Sequence, residues 1–484
     1  MGVEPKGAPG GVAARPQGIG PGGFERNGVD RIPEGDRTST PGTFFVVFIG
    51  GSVGLGAIAF GWLGMSFGLG LWATISAIAV GTIVGQILLV PLILIGSRTA
   101  TNNATSSGAT FGVRGRFIGS GIGLLTCLVS VALTVWTSGS AGVAVAGRLF
   151  GMVDTPGTEA VAFALVAAVS VAVAIWGFRW LVRCTAIICV LGGLAMILMP
   201  FAFAGSINWS YGGAEPLLGS FWPTWFLVAT TIGVSGALLV CTILGDWTRY
   251  IRSDLHPQSR LAWVGSAAIF LGFVVPAAIG AIVTTAVSDP TAPFTVSVAN
   301  ESPVWYAVLL LPFAVFGGVG LVAQSLYSAG LDLEAVVVRL TRAKATTIIG
   351  VIGVVLVYVG LLAPTVQAAV TAAFIVFAEL AAPWAVIVGV GFVLTRGNYD
   401  PDDLQVFNRG LTGGRYWYSG GWSWQATLAW AVGAVVGLLM IQTQLFQGPI
   451  ANVAGGVDIS LIAGSVVAAV LYLVLIKGRH VQAD

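Results

Sequence analysis

Charge is scarce in this chain: Asp, Glu, Lys and Arg together make up 9% of its 484 residues, where a soluble protein carries roughly a quarter. Water is therefore not its main solvent. Histidine is almost missing, with His256 and His480 both in polar segments, so no histidine metal cluster can form within an apolar span. The four cysteines, Cys127, Cys184, Cys189 and Cys241, all fall in apolar runs, which favours buried inert thiols over disulfides. No Lys/Arg-rich block with interleaved aromatics is present and the net charge is only +2, so nothing points to nucleic acid as a partner. An integral-membrane enzyme would need a nucleophile with a base, or a metal cluster; the spans offer no histidine and one mid-span acid, Glu379.

What is abundant is apolar sequence. Hydrophobic residues make up 56%, and apolar runs repeatedly exceed the roughly 18 to 20 residues that a helix needs to cross about 30 Å of hydrocarbon. In lipid the backbone must satisfy its own hydrogen bonds, so these runs are helices. Hydropathy places spans near 43-67, 71-96, 117-147, 159-178, 181-205, 222-245, 261-286, 304-330, 346-364, 367-395, 424-444 and 455-476, numbered helices 1 to 12 below. With a cytoplasmic N-terminus, every one of the 22 basic residues except Arg148 falls on the cytoplasmic side, as the positive-inside rule requires of twelve spans with both termini inside. Residues 1-42 are rich in Gly and Pro, mixed in charge and without the apolar core of a signal peptide; their composition predicts a disordered cytoplasmic tail.

Two helices carry breaker clusters. Helix 1 has Gly50, Gly51, Gly54 and Gly56 around Ser52, and helix 6 has Gly233, Ser235 and Gly236. In a transporter built from two inverted five-helix repeats these two helices are equivalent, and both unwind where solute binds. Exposed amides and carbonyls at that depth are tolerable only around a protein-lined cavity. Close packing through small residues, which the Gly50 to Gly54 spacing would also serve, is the competing explanation.

Several polar segments resemble the nucleobase cation symporter family, in its purine/cytosine permease branch. They are Ala109-Thr110-Phe111-Gly112-Val113-Arg114-Gly115 before helix 3, Gly245-Asp246-Trp247-Thr248-Arg249-Tyr250 at the end of helix 6, and Ser325-Leu326-Tyr327-Ser328-Ala329-Gly330-Leu331 in helix 8. Ala382-Pro383-Trp384 with Arg396-Gly397-Asn398-Tyr399-Asp400 follows around helix 10, and Tyr416-Trp417-Tyr418-Ser419-Gly420-Gly421-Trp422 precedes helix 11. The resemblance implies an all-α polytopic membrane protein of about twelve transmembrane helices. Its fold would be a LeuT-like five-plus-five inverted repeat with two extra C-terminal helices. The division would be a tail 1-42, repeats 43-205 and 222-395, a cytoplasmic loop 396-423, the additional helices 424-476 and a tail 477-484. The implied function is symport of a nucleobase, such as cytosine or a purine, by alternating access. The co-transported ion would be a proton or sodium, without a cofactor, structural metal or obligatory protein partner, in the cytoplasmic membrane. A same-fold carrier of allantoin or a hydantoin, a vitamin or an amino acid is the alternative.

A flat heterocycle edged with donors and acceptors calls for a stacking ring and amide or hydroxyl partners. The candidates are Phe48, Gly51 and Ser52 in helix 1, Thr134 and Trp136 in helix 3, Ser235 and Gly236 in helix 6, and Gln324 where the family places an amide in helix 8. Counted from Phe111, the family's helix 3 aromatic position falls near Ser130, nearly two turns before Trp136; helix 6 has Ala237 where some relatives carry a ring. The helix 8 stretch in which the family's sodium site uses hydroxyls reads Gly317-Gly318-Val319-Gly320-Leu321, which favours protons. Glu379, mid-span in helix 10, is the expected proton carrier, since a carboxylate at that depth faces a cavity or a partner and often holds a proton. Asp246 and Arg249, one turn apart, are expected to pair as a structural contact or gate latch rather than to touch solute.

Overall fold

The structure is a computed structural model that describes residues 18, 25–289, 294–442 and 446–477. Among the described residues, eight helices are long and apolar enough to cross a membrane. Two further bent pairs, Pro41–Ser52 with Leu55–Ser66 and Leu71–Ile87 with Leu89–Thr99, each read as one broken span, at 64° and 41°. Two shorter apolar helices, Trp424–Met440 and Ser460–Ile476, come last. The bend in helix 2 is explained by Pro91, which has no N–H to return to the turn before it.

Helix 1 breaks inside its glycine cluster. Val53 and Gly54 are extended, at φ/ψ of −84°/91° and −170°/161°, between halves 1a (Pro41–Ser52) and 1b (Leu55–Ser66). The cluster divides its work between breaking and packing. Gly50 lies against the Thr185 backbone of helix 5, where any side chain would overlap, and Gly54 faces the Gly317 carbonyl of helix 8. Half 1b meets helix 7 (Gln258–Thr284) through Gly61 and Gly280, each pressed on a backbone carbonyl of the other helix.

Helix 6 departs from expectation. Its first part, Phe221–Val228, runs on as a π-helical stretch, Ala229–Val234, and a turn, Ser235–Leu238. The regular helix stops only at 239–243, held by short-range bonds from Cys241 N–H to Leu238 and from Ile243 N–H to Val240, before Leu244–Thr248 resumes. The unwound stretch thus lies beyond Gly233 and Gly236. Those two glycines serve contact: Gly233 lets helix 2 approach at Gly81, and Gly236 makes room for the Phe273 ring.

Helix 3 (Phe117–Phe150) and helix 8 (Val304–Val336) pack along most of their lengths in the centre of the bundle. Helix 10 (Pro364–Leu394) leans on helix 3 and carries the last two helices on its far side; these meet at Gly433 and Gly464. Arg148, the one basic residue that breaks the charge rule, donates to the Ala299 carbonyl at 2.9 Å and to Asn300 at the end of the short helix Phe294–Glu301. Cations suit helix C-termini, so its position has a local cause.

The segment 25–40, expected to be disordered, is packed. Val29 and Ile32 are buried, Ile32 N–H donates to the Ala100 carbonyl at 2.9 Å, and Arg37 donates to the carbonyls of Ser97, Arg249 and Ile251. Composition averages over the tail and misses these few anchors. Each reaches a backbone carbonyl left free at a helix end, where an Arg fork binds well. The remainder of the expected N-terminal tail, apart from Gly18, lies outside the described residues, as does the tail from 478 onward.

Candidate functional site: a cavity at the break in helix 1

A cavity of about 330 Å³ lies where helix 1 opens. Helix 1 contributes Phe48, Gly51, Ser52, Gly54 and Phe60; helix 6 contributes Gly236, Ala237 and the unwound Leu239, Val240 and Ile243. Helix 7 adds Gly272 and Phe273, helix 8 adds Gly317, Gly318 and Ser325, and helix 10 adds Phe374. Its volume is at the small end of the roughly 300 to 1,000 Å³ typical of ligand sites. No charged side chain lines it among the described residues.

Helix 3 presents one face. Thr126, Ser130, Thr134, Thr137 and Ser138 all reach the cavity, at the three- and four-residue spacing of a single helical stripe. Trp136 is two residues from Thr134, about 200° round the helix at 3.6 residues per turn. Its ring consequently points away: Nε1–H donates to the Val357 carbonyl at 2.9 Å, and the indole packs on Gly360 of helix 9. Trp136, expected to meet solute, packs between helices here and does not line the cavity. The family register that puts a ring near Ser130 is the one that faces the cavity, and here that position carries a hydroxyl.

Of the other candidates, Phe48, Gly51, Ser52, Thr134 and Gly236 line the cavity, whereas Ser235 and Gln324 do not. Ser235 lies one residue before Gly236 and faces elsewhere. Gln324 is 2% exposed, and its Nε2 donates to the Val47 carbonyl of helix 1a at 2.6 Å, with the amide seated where Gly51 has no side chain. In this conformation the amide ties helix 8 to helix 1, and its neighbour Ser325 faces the cavity.

Sequence reading missed three rings, Phe60, Phe273 and Phe374. Phe60 and Phe273 lie 5.3 Å apart between centroids. Phe273 abuts Gly236, so helix 7 supplies a ring beside the place where helix 6 has Ala237. Nothing in the sequence marked them, since a glycine such as Gly236 that admits a neighbouring ring reads like a helix breaker.

Glu379 is corrected as well. It is 2% exposed and faces the last two helices: Ser460 Oγ donates to its Oε1 at 2.6 Å, and its Oε2 lies against Gly437. The Ser460 N–H donates to Asp458 Oδ1 at 2.9 Å. The carboxyl is turned toward a helix interface, away from the cavity, because Phe374 and Glu379 stand about 140° apart around helix 10.

Arg249 does not form the expected ion pair with Asp246. It is fully buried and pairs with Glu25 of the N-terminal segment at 3.7 Å, while donating to Gly28 O and to Tyr327 Oη at 2.9 Å. Glu25 also meets Arg342 of helix 9 at 3.5 Å and accepts hydrogen bonds from the Phe178 N–H at 2.7 Å and from the Tyr250 and Tyr327 hydroxyls. One tail carboxylate thereby ties together helices 5, 6, 8 and 9.

Broken helix 1, interrupted helix 6 and a neutral cavity between them and helices 3 and 8 define a secondary-transporter fold. The model of the family described as permeases for cytosine/purines, uracil, thiamine and allantoin matches residues 31–464, and the chain belongs to that family. It is a permease of the nucleobase and related-heterocycle class, a multi-pass membrane transporter and not an enzyme. The chain is 25% identical over 469 residues to YxlA of Bacillus subtilis (strain 168), itself only provisionally assigned as a purine-cytosine permease; the match covers 94% of this chain and 96% of that one. Among solved structures it resembles a nucleobase-cation-symport-1 family transporter in a closed conformation with bromovinylhydantoin bound. That likeness has a TM-score of 0.71 at 19% identity, over 94% of this chain and 95% of the other. A substrate-bound, outward-open sodium-coupled sialic acid symporter shares the fold at TM-score 0.62 and 12% identity, over 92% and 91% of the two chains.

Proposed function

We propose that this protein imports a neutral nucleobase, such as cytosine or a purine, by proton-coupled symport across the cytoplasmic membrane, with both termini in the cytoplasm. The observation that carries this reading is the uncharged cavity at the helix 1 break, edged by hydroxyls of helix 3 and by four phenylalanine rings. Rings stack on a flat heterocycle, and hydroxyls that both donate and accept suit its edge. Thiamine, a cation named in the family's description, would enter a pocket with no carboxylate to balance it.

Protons are favoured over sodium by the helix 8 wall. Gly317 faces the break in helix 1 with no side-chain hydroxyl, Gly318 abuts Ser138 of helix 3, and the Ser52 hydroxyl is committed to the Phe48 carbonyl at 3.0 Å. The cytoplasmic orientation is supported by the basic residues, all of which except Arg148 sort to the side of the N-terminus when twelve spans are counted.

The test is uptake of one radiolabelled base into proteoliposomes, with unlabelled bases, hydantoins, vitamins and amino acids as competitors and with pH and sodium gradients varied independently. Accumulation driven by an inward proton gradient, and competition confined to neutral heterocycles, is the expected result. Competition by amino acids alone would refute it.

A further inference from the structure

Below the cavity, toward the face that carries the N-terminal segment, lie two acids that solute binding does not use. Asp246, at the end of helix 6, is 1% exposed, and Asp332, in the last turns of helix 8, is 2% exposed. Each has an Oδ2 with no hydrogen-bond partner, and neither forms an ion pair among the described residues. Asp332 Oδ2 meets Thr242, four residues before Asp246, at the space beside Gly123, and the Ser328 hydroxyl approaches Asp246.

Their position is set by a glycine and a break. Asp332 Oδ2 occupies the space that Gly123 of helix 3 leaves empty, next to Thr242 in the unwound stretch of helix 6. Thr126 and Cys127 stand three and four residues beyond Gly123, and both line the cavity, as does Ile243 next to Thr242. The acid therefore sits one helical turn, about 5.4 Å along the axis, past the cavity floor. Buried hydroxyls without partners stand on either side of this level, Thr126 one turn toward the cavity and Ser120 one turn beyond it.

Two carboxylates close together in a dry site cannot both stay ionised, and a buried one without a cation holds a proton or meets a partner. The groups that face the pair do not supply a neutralising ion pair. Helix 3 presents the Cys127 thiol, and the unwound part of helix 6 presents Cys241. The segment after helix 2 offers Asn103, whose amide is bound to the Cys241 carbonyl at 3.0 Å. Arg249 acts on Asp246 from one turn away, but its ion pair is with Glu25.

We propose that Asp246 and Asp332 form a shared proton site, and that the coupling proton is held there rather than on Glu379. The inference rests on the proton-symport reading and gives it a location. The proton arrives from cavity water, is held on one acid of the pair while the other stays ionised, and leaves to water on the opposite face when the ends of helices 6 and 8 separate. No other bond changes.

The experiment uses the full chain in proteoliposomes and reads two quantities, base accumulation driven by an imposed pH gradient and base exchange at equal pH. Asp332→Asn and Asp246→Asn are each expected to bring gradient-driven accumulation to the background of protein-free vesicles while exchange continues. Accumulation at the wild-type level in both variants would overturn the assignment and leave proton symport standing. Wild type that accumulates base on a sodium gradient and not on a pH gradient would defeat the proton-symport reading, and the assignment with it. Asp332→Glu keeps an ionisable group and carries the readout where the Asn variants do not fold. A displaced pH profile of uptake is expected, and an unmoved one contradicts the proposal.

Discussion

Arg249 reaches past Asp246, three residues before it in the chain, to pair at 3.7 Å with Glu25, some 220 residues away in the N-terminal segment. The pair is buried at both ends, and Glu25 shares its second oxygen with Arg342 at 3.5 Å. A buried ion pair is weak evidence for net stability, but removing one partner leaves the other charge uncompensated, at about 3 to 5 kcal/mol.

Glu25→Gln is accordingly expected to lower the thermal unfolding midpoint of the detergent-solubilised protein and to make a cysteine placed at Ser328 more reactive toward a water-soluble maleimide. A midpoint and a labelling rate equal to those of the parent would show that the segment merely lies on the surface.

Thr134 presents its hydroxyl to the cavity, whereas Trp136 is engaged with Val357. Thr134→Val is expected to raise the KM for the transported base by about tenfold, the equivalent of one lost hydrogen bond of about 1.4 kcal/mol. Trp136→Phe should leave KM alone and cost about 1 kcal/mol of stability. Uptake kinetics paired with thermal denaturation separates the two; a KM change confined to the Trp136 variant would reverse the assignment of the helix 3 faces.

Gly236→Val should displace the Phe273 ring, because even a Cβ at that position overlaps it. The expected outcome is weakened base binding in scintillation proximity or thermal-shift assays, with partial recovery in Gly236→Val combined with Phe273→Ala. Overpacking strain is typically about 1 to 3 kcal/mol, enough to register in either assay. Unaltered binding in the single variant would mean that the ring does not border bound solute.

Glu379→Gln keeps the shape of the Ser460 contact and removes the acid. Since the carboxyl faces helices 11 and 12, pH-driven accumulation is expected to persist in this variant. Its loss, with exchange preserved, would restore Glu379 as the proton carrier and count against the Asp246 and Asp332 pair.

Much of this architecture is written in hydropathy and charge. The apolar helices follow from the cost of burying charge and unpaired backbone in lipid, and the break at Val53 and Gly54 falls within the glycine cluster of helix 1. The inward faces of the helices were harder to read. In a helix surrounded by lipid or other helices there is no polar side to mark orientation, so Trp136 and Glu379 could be placed at the right depth and still on the wrong side. Thr126, Ser130, Thr134 and Ser138 do form a stripe at helical spacing, which was the usable signal in helix 3. Gly236 misled for a different reason: a glycine that admits Phe273 looks the same in sequence as one that breaks a helix. Composition likewise concealed Glu25 and Arg37, two anchors in a stretch otherwise made for disorder.

The most direct test of the account is a cryo-electron microscopy map of the protein with the strongest competing base bound. Density for a flat ring is expected between the helix 1 break and the Thr134 face of helix 3, with Phe48 or Phe273 stacked on it. Density at another location, with this chamber filled by side chains, would contradict the account.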